Sequence, residues 1–403
     1  MMFTHRQIIA LLIPLMLEQV LSGLMGIADT MMVTTVGESA ISAVALVDSV
    51  NMLMLNLLSA LAAGGVIVCA QYLGREETEQ ANNAARQVLL VSVGLGAAVA
   101  AACLVLRRVL LGLIFGSVEQ AVMDQALDYF FITALSYPFL AAQQTAAAVF
   151  RAQQRSAPPM AVAAVANGIN IAGNAVMIFV FHQGVTGAAL ATLASRIVSA
   201  VVLLILLRSR RLPVSIRNYR SIRPDRRVIG TVLRVGVPTG VENAMFQLGK
   251  LMVQSTVSTF STAAIAAHAM TQTLDMVQGM PPMALGVGLL TVAGQCMGAG
   301  RVEEAKTYTK RFCLIAECVM AVTCLTVLAA TPLVTRVSQM TPESAGLTFQ
   351  LMVLISVGRM VLWVAAFTLP NGMRAAGDVR FAAGVSAASM WIFRVGLCLL
   401  LCR

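Results

Sequence analysis

Carboxylates and amides set inside otherwise apolar stretches are where this sequence could do chemistry. Glu18 and Asp29 lie in one apolar run, and a helix would place them about 20° apart around its axis, three turns apart on one face. Asn167, Asn170 and Asn174 follow an i, i+3, i+7 stripe in a later run. An ionisable side chain in hydrocarbon is costly unless paired or hydrated, so each is a functional candidate. Desolvation strengthens a carboxylate's hold on a proton, and a nearby charge or hydrogen bond weakens it. Such a group can load a proton in one state of hydration and release it in another. Plainer readings stand beside this one. Asp29 could bond backbone at the end of its run, and Glu18 could be a protonated carboxyl satisfied between helices.

Further along, Asn243, Gln247 and Gln254 recur at i, i+4 and i+11, a polar face that would either meet substrate or bond helix to helix. Asp48 and Asp275 fall near the ends of their runs and read equally as solvated mouth residues or cation attractors. Lys250 and Arg359 are expected to neutralise carboxylates or to snorkel. Arg394 could pair with Glu242 or Asp275, and His182 and His268 read as structural. Of 24 methionines, Met31, Met52, Met276, Met280 and Met283 lie in runs that would border a cavity. A flexible thioether suits a surface that accepts many shapes, though for any one of them core filler or a lipid-facing place is the plainer reading. The chain has no His-Glu-x-x-His, no Gly-x-Ser-x-Gly and no phosphate-cradling glycine loop, so neither an enzyme nor a cofactor is expected. Cys69, Cys103, Cys296, Cys313, Cys318, Cys324, Cys398 and Cys402 all sit in or beside apolar runs, with no disulfide framework and no metal-ligand spacing.

The elements that must position these groups are membrane spans. The chain has 403 residues, 58% of them apolar and only 11% charged, with a mean hydropathy of +0.83. A soluble domain carries about a quarter charged residues, so a water-soluble globule is excluded. Runs long enough to cross a bilayer as helices fall at 8–35, 41–72, 86–115, 125–150, 158–181, 187–207, 228–258, 264–296, 309–333, 345–373 and 381–402. They are too long and too uniformly apolar for barrel strands, which leaves an all-α integral membrane protein. The first run is too long for a signal-peptide core and carries Glu18 and Asp29, so it reads as an uncleaved span.

Basic residues set the orientation. With the N-terminus in the cytoplasm, the inner connections hold Arg6, Arg75, Arg86, Arg151, Arg155, the arginines of 208–227, Arg301, Lys306, Lys310, Arg311, Arg374 and Arg380. The outer ones hold only Arg107, Arg108 and Arg336. This asymmetry accounts for the net charge of +10 without nucleic acid. The stretch 208–227 reads as a cytoplasmic arginine-rich linker lying on the anionic leaflet.

The sequence also matches itself at an offset of 224 residues. Pro14 and Glu18 recur as Pro238 and Glu242, Ala40-Ile41-Ser42-Ala43 as Ala264-Ile265-Ala266-Ala267, Gly64 as Gly288, and Gln71 and Gly74 as Gln295 and Gly298. With one residue lost, Phe150-Arg151-Ala152 meets Met373-Arg374-Ala375. The recurrence of Glu18 as Glu242 favours a shared cavity-lining position. The domains expected are an N-terminal six-helix bundle over 1–207, the linker, and a C-terminal bundle over 228–403 with five helices present. An even number of spans per repeat gives both copies one orientation, with a pseudo-twofold axis along the membrane normal. A second copy of the run 187–207 would fall beyond Arg403, so the sequence looks like a twelve-helix protein cut before its last span. The glycines at 74 and 298 read as helix caps.

Taken in order, these motifs resemble the multidrug and toxic compound extrusion (MATE) transporters. The resemblance rests on Ile27-Ala-Asp29-Thr-Met-Met-Val33 with Gly37, Ala70-Gln71-Tyr-Leu-Gly74, Pro138, Arg151-Ala152, Asn170-Ile-Ala-Gly-Asn174, and Arg374-Ala-Ala-Gly377 with Arg380. Glu18-Gln19 and Trp391-Ile-Phe-Arg394 point to the bacterial branch. The resemblance implies export of small amphipathic, often cationic compounds through a bacterial inner membrane, by exchange with protons or sodium and alternating access of two bundles. It implies that Asp29 and Asn174 face each other. Asp29, Glu18, Asn170 and Asn174 are then the ion-coupling candidates, with Asp29, Asn170 and Asn174 a possible sodium set. Glu242, Asn243, Gln247, Gln254, Asp275, Met276 and Met280 are the substrate-cavity candidates. Several relatives carry aspartate at the Asn174 position, so the neutral amide here removes one charge. A monomer surrounded by lipid is expected. The rival reading is a lipid-linked saccharide flippase of related design. It would need a strongly basic cavity, and acids and amides outnumber bases in the helices placed around it.

Overall fold

In a computed structural model, residues 2–115, 119–219, 223–257, 260–338, 340–396 and 400 are described. Cys398, Cys402 and Arg403 lie outside the described residues. Everything regular among the described residues is helical: α1 (His5–Thr34), α2 (Glu38–Gly74), α3 (Thr78–Phe115), α4 (Gln120–Leu135), α5 (Tyr137–Ala152), α6 (Ala157–Ala175), α7 (Gly184–Leu206), α8 (Arg226–Val257), α9 (Thr262–Gly298), α10 (Val302–Val337), α11 (Pro342–Trp363), α12 (Leu369–Ala375) and α13 (Val379–Ser389). Each of the eleven apolar runs is helical over its described part. Eight of the resulting helices are long and apolar enough to cross a membrane, which makes this a multi-pass membrane chain. The exceptions have local causes. The run at 125–150 is two helices, because Pro138 has no N–H to continue the ladder and the chain breaks at Ser136. α8 carries Arg226, Arg227, Arg234, Glu242 and Lys250, which dilute its apolarity. α13 passes into a π-helical stretch, Met390–Gly396.

Two further π-helical stretches, Val176–Val180 after α6 and Val364–Thr368 between α11 and α12, complete the three among the described residues. The wider turn of a π-segment re-aims side chains and is common at functional sites. Here each one adjoins or contains a polar or aromatic candidate: Asn174, Phe367 and Arg394 respectively.

The internal repeat is visible in the element boundaries. α2 and α9 begin and end 224 residues apart, and α3 and α10 begin 224 residues apart. The tight turn after α2 places Glu76 at φ +63°, and its counterpart after α9 is Gly300 at φ +72°. The residue that needs left-handed freedom therefore lies two positions beyond Gly74 and Gly298, which correct to the last helical residues rather than caps.

Packing divides the chain into two compact units. Unit 1 is Met1–Val20 with Val241–Arg403, and unit 2 is Leu21–Gly240. The boundaries fall inside α1 and α8, not at the linker. In unit 2, Val33, Ala43, Val47, Phe130, Tyr137 and Ala189 share one buried core. Unit 1 buries Leu274, Val327 and Met352 from α9, α10 and α11. The repeated glycines explain part of each unit. A Cβ on Gly64 would lie 3.1 Å from the Gly236 backbone N and the Val232 carbonyl of α8, whereas one on Gly288 would meet the tip of the Leu12 side chain at 2.7 Å. Small residues let helices approach closely in a bilayer, and backbone yields less readily than a leucine methyl. Gly64→Ala is therefore expected to lower the unfolding midpoint of the purified protein more than Gly288→Ala, by about 1–3 kcal/mol against under about 1 kcal/mol. Equal losses in a thermal unfolding assay would contradict this account of the repeat.

The segments before α1 and α8 are also tied down, each within its own unit. In unit 1, Tyr308 OH accepts from Phe3 N at 2.9 Å and donates to Phe3 O at 3.0 Å. In unit 2, the described part of 208–227 is stitched to α3. Ser215 N donates to Asn82 Oδ1 at 2.7 Å, Gln87 Nε2 to Arg223 O at 2.8 Å, and Asn83 Nδ2 to Asp225 Oδ2 at 3.0 Å. The Asn83 amide holds the Asp225 carboxyl below its ordinary value. Val214 and Ile216 are fully buried. The linker is thus a packed strap rather than a loose basic surface.

Candidate functional site

Unit 2 brings three of the four ion-coupling candidates together. Asp29 stands near the end of α1, and α6 presents Asn170 and Asn174 one turn apart, both fully buried. Asn174 Nδ2 donates to Asp29 Oδ1 at 2.7 Å and also reaches Asn170 Oδ1 at 3.3 Å. Asn170 Nδ2 donates to Thr192 Oγ1 of α7 at 3.2 Å, and that hydroxyl donates to the Ala188 carbonyl at 3.0 Å. The result is a directed relay from hydroxyl and amides to one carboxylate. Asn174 Oδ1 is buried with no donor, so a carbonyl oxygen is left open on the amide that holds Asp29. Asn167 Nδ2 is likewise buried without an acceptor. Glu18 falls in unit 1, so the face it shares with Asp29 along α1 does not place the two in one compact unit.

A second network adjoins the first. Asp48 Oδ1 accepts from Asn51 Nδ2 at 3.1 Å and from Tyr129 OH at 3.4 Å, while Tyr137 OH donates to Asn51 Oδ1 at 2.8 Å. Arg196 of α7 donates to Ser136 Oγ at the break between α4 and α5. Asp48 repels the Asp29 carboxylate and Arg196 attracts it. Asp48, read as a mouth residue or a cation attractor, is exposed yet also bonded into this network. Arg196, Tyr129, Tyr137, Asn51 and Thr192 were not singled out from sequence. A lone arginine in the middle of the run 187–207 was the available signal, because a mid-span base demands partners.

Unit 1 holds the other polar cluster. Arg374 Nη2 binds Glu242 Oε2 at 2.6 Å and its Nη1 donates to Asn371 Oδ1 at 2.7 Å. Arg359 Nε binds Asp275 Oδ1 at 2.6 Å. Arg359 thus neutralises a carboxylate, as the sequence suggests. Three expectations need correction. Arg374, assigned to a connection, sits in α12 and takes Glu242. Arg394 pairs with neither Glu242 nor Asp275 and lies over the Phe246 ring at 5.5 Å. Lys250 neutralises no carboxylate either; its ammonium sits 5.3 Å over the same ring. Asn243 and Gln247 are half-buried and Gln254 is exposed, and none of the three bonds to another helix among the described residues. Met276 and Met283 are exposed and Met280 half-buried on α9; Met31 and Met52 are exposed in unit 2. His268 meets Gln272 one turn on, through Nε2 at 3.1 Å.

The profile of the MatE family matches residues 14–176 and again 238–400. The chain belongs to the MatE family. The two MatE matches are themselves offset by 224 residues and begin at Pro14 and Pro238, the first pair of the internal repeat. Among curated MatE-like relatives, the uncharacterized transporter YisQ of Bacillus subtilis is 22% identical over 94% of this chain and 83% of its own length. The probable multidrug resistance protein NorM of Thermotoga maritima is 27% identical over 74% of this chain. This chain spans 65% of that NorM, and 65% of the probable multidrug resistance protein YoeA of Bacillus subtilis. A solved outward-facing MATE transporter of the MOP superfamily superposes with a TM-score of 0.91 at 21% identity, covering 98% of this chain and 88% of its own. That likeness shows the MatE fold: all-α, built from two bundles.

Proposed function

We propose that this MatE-family chain is a secondary active transporter that exports amphipathic compounds, organic cations among them, by antiport with protons. Sodium is the second coupling ion the site would accept. The observation that carries the reading is the Asn174–Asp29 hydrogen bond at 2.7 Å beside the buried, donor-free Asn174 Oδ1. A carboxylate held by amides can accept a proton, and the open carbonyl oxygen offers a cation a second hard ligand. Either event cancels the Asp29 charge, which changes what it costs to hold the group away from water. Coupling then follows if cargo and ion compete for different conformations of the two bundles. Glu18, Glu242, Asn243, Gln247, Gln254, Asp275, Met276 and Met280 remain candidate cavity groups in this scheme. Their roles are assigned through the repeat and the family resemblance.

We place the N-terminus in the cytoplasm of a bacterial inner membrane, supported by the excess of arginine in the alternate connections. Nothing in the fold favours an enzyme or a lipid-linked saccharide flippase over this reading. Everted vesicles carrying the protein test it, with proton and sodium gradients imposed separately and uptake of a cationic dye followed by fluorescence. Uptake that follows one gradient and collapses when that gradient is dissipated is the expected result. Uptake indifferent to both would remove antiport.

A further inference from the structure

Unit 1 carries a cluster the coupling scheme does not use. Phe246 of α8 packs edge-on against Phe367 at 6.0 Å, and Phe367 stacks on Trp363 at 4.1 Å. Cations sit along this aromatic shelf: Lys250 and Arg394 over Phe246, and Arg359 over Trp363 at 4.3 Å. The two carboxylates nearest the shelf, Glu242 and Asp275, are each already bound by an arginine at 2.6 Å. No carboxylate among the described residues lies within ion-pair distance of Lys250. Arg394 and Arg359 repel the Lys250 charge, and only Asp275 opposes them there.

Hydrogen-bonding capacity points the same way. Trp363 Nε1, Arg359 Nη1, Arg374 Nε and Trp391 Nε1 are all buried donors with no acceptor. Four orphan donors in one unit are an uncommon burden, and an anion or an acceptor-rich ligand would relieve it. Gly279 leaves room for the Arg359 guanidinium, since a Cβ there would lie 2.9 Å from Nη1. Phe367 remains 40% exposed, so a ring of the shelf is open to a partner.

The geometry points to a binding site in unit 1 for the acidic group of an aromatic amphipath, with the ring on the Phe246–Phe367–Trp363 shelf and the carboxylate or sulfonate on Lys250. A cationic cargo would meet the like charges of Lys250 and Arg394 on that shelf. An aromatic anion satisfies both the ammonium and the orphan donors. This inference rests on the export reading and extends its cargo from organic cations to organic anions and zwitterions.

Two dyes sharing a xanthene ring test it, carboxyfluorescein as the anion and rhodamine 6G as the cation. Anisotropy titrations would use the full chain in nanodiscs of phosphatidylcholine. The expected result is tighter binding of carboxyfluorescein, weakened about tenfold or more by Lys250→Gln and kept by Lys250→Arg. Phe246→Leu, which keeps the apolar volume, should weaken it as well, and guards against a folding defect in the lysine variant. Rhodamine 6G binding tighter, or carboxyfluorescein binding untouched by both Lys250→Gln and Phe246→Leu, overturns the site. The two readings fail separately. Gradient-driven rhodamine 6G transport without carboxyfluorescein binding removes the anion site and leaves export standing. Carboxyfluorescein binding with no gradient-driven transport of either dye removes export and leaves the site.

Discussion

Asp29→Asn is expected to reduce gradient-driven dye transport to the level of empty vesicles while leaving the protein expressed and folded. The asparagine is nearly isosteric and still accepts the 2.7 Å hydrogen bond from Asn174 through its carbonyl oxygen. What it loses is the ability to change charge. A carrier whose cargo and coupling ion exchange through one titratable group cannot cycle when that group is fixed neutral. The measurement is the initial rate of dye uptake in everted vesicles at matched protein levels, beside dye binding in detergent. Loss of transport with binding retained identifies the coupling role. Transport at the parental rate would remove Asp29 from the mechanism and return it to the plainer reading of a helix-end residue. Asn174→Leu separates the ions. It removes the open carbonyl oxygen, so a sodium-driven cycle should lose far more than a proton-driven one.

Arg374→Ala has the largest expected effect on stability. Its guanidinium binds Glu242 at 2.6 Å with both side chains more than four-fifths covered. Removing the arginine leaves a buried carboxylate without its counter-charge, which typically costs about 3–5 kcal/mol. The double variant Glu242→Gln with Arg374→Gln should recover most of that loss, because two neutral amides can bond to each other. Unfolding of the purified protein in detergent gives both numbers. A single variant as stable as the parent would mean that the pair is already hydrated and contributes little. The pairing also constrains the role of Glu242. A cation cannot use that carboxylate without first displacing Arg374.

The helices were legible because a bilayer imposes a simple rule on sequence, and each apolar run became a helix. The break at Ser136 was less so. Pro14, Pro238 and Pro332 sit inside continuous helices, and only Pro138 ends one, so proline alone does not announce a break. The meeting of Asp29 and Asn174 was implied by the family resemblance, and the polar stripe on α6 was visible in spacing. The unit 1 cluster was not legible. Arg374 appears in the sequence as one more base of a connection, and whether its side chain turns back to Glu242 depends on how α12 lies against α8. Likewise Lys250 and Arg394 are far apart in the chain, and no periodicity brings both over Phe246. Spacing reports which residues share a helix face. It does not report which faces meet.

The partition of α1 and α8 between the units bears on how such a chain is made. Translation delivers Met1–Val20 early, yet the residues that cover it, beginning at Val241, emerge only after the whole of unit 2. The amino-terminal segment must therefore wait, apolar and unpacked, through the synthesis of more than half the polypeptide. Severing the gene within 208–227 would strand it on the wrong fragment, and would deprive Leu21–Gly240 of the opening turns of α8 in return. Duplication made two copies of one ancestor, but the exchange of these ends makes their assembly a single late event.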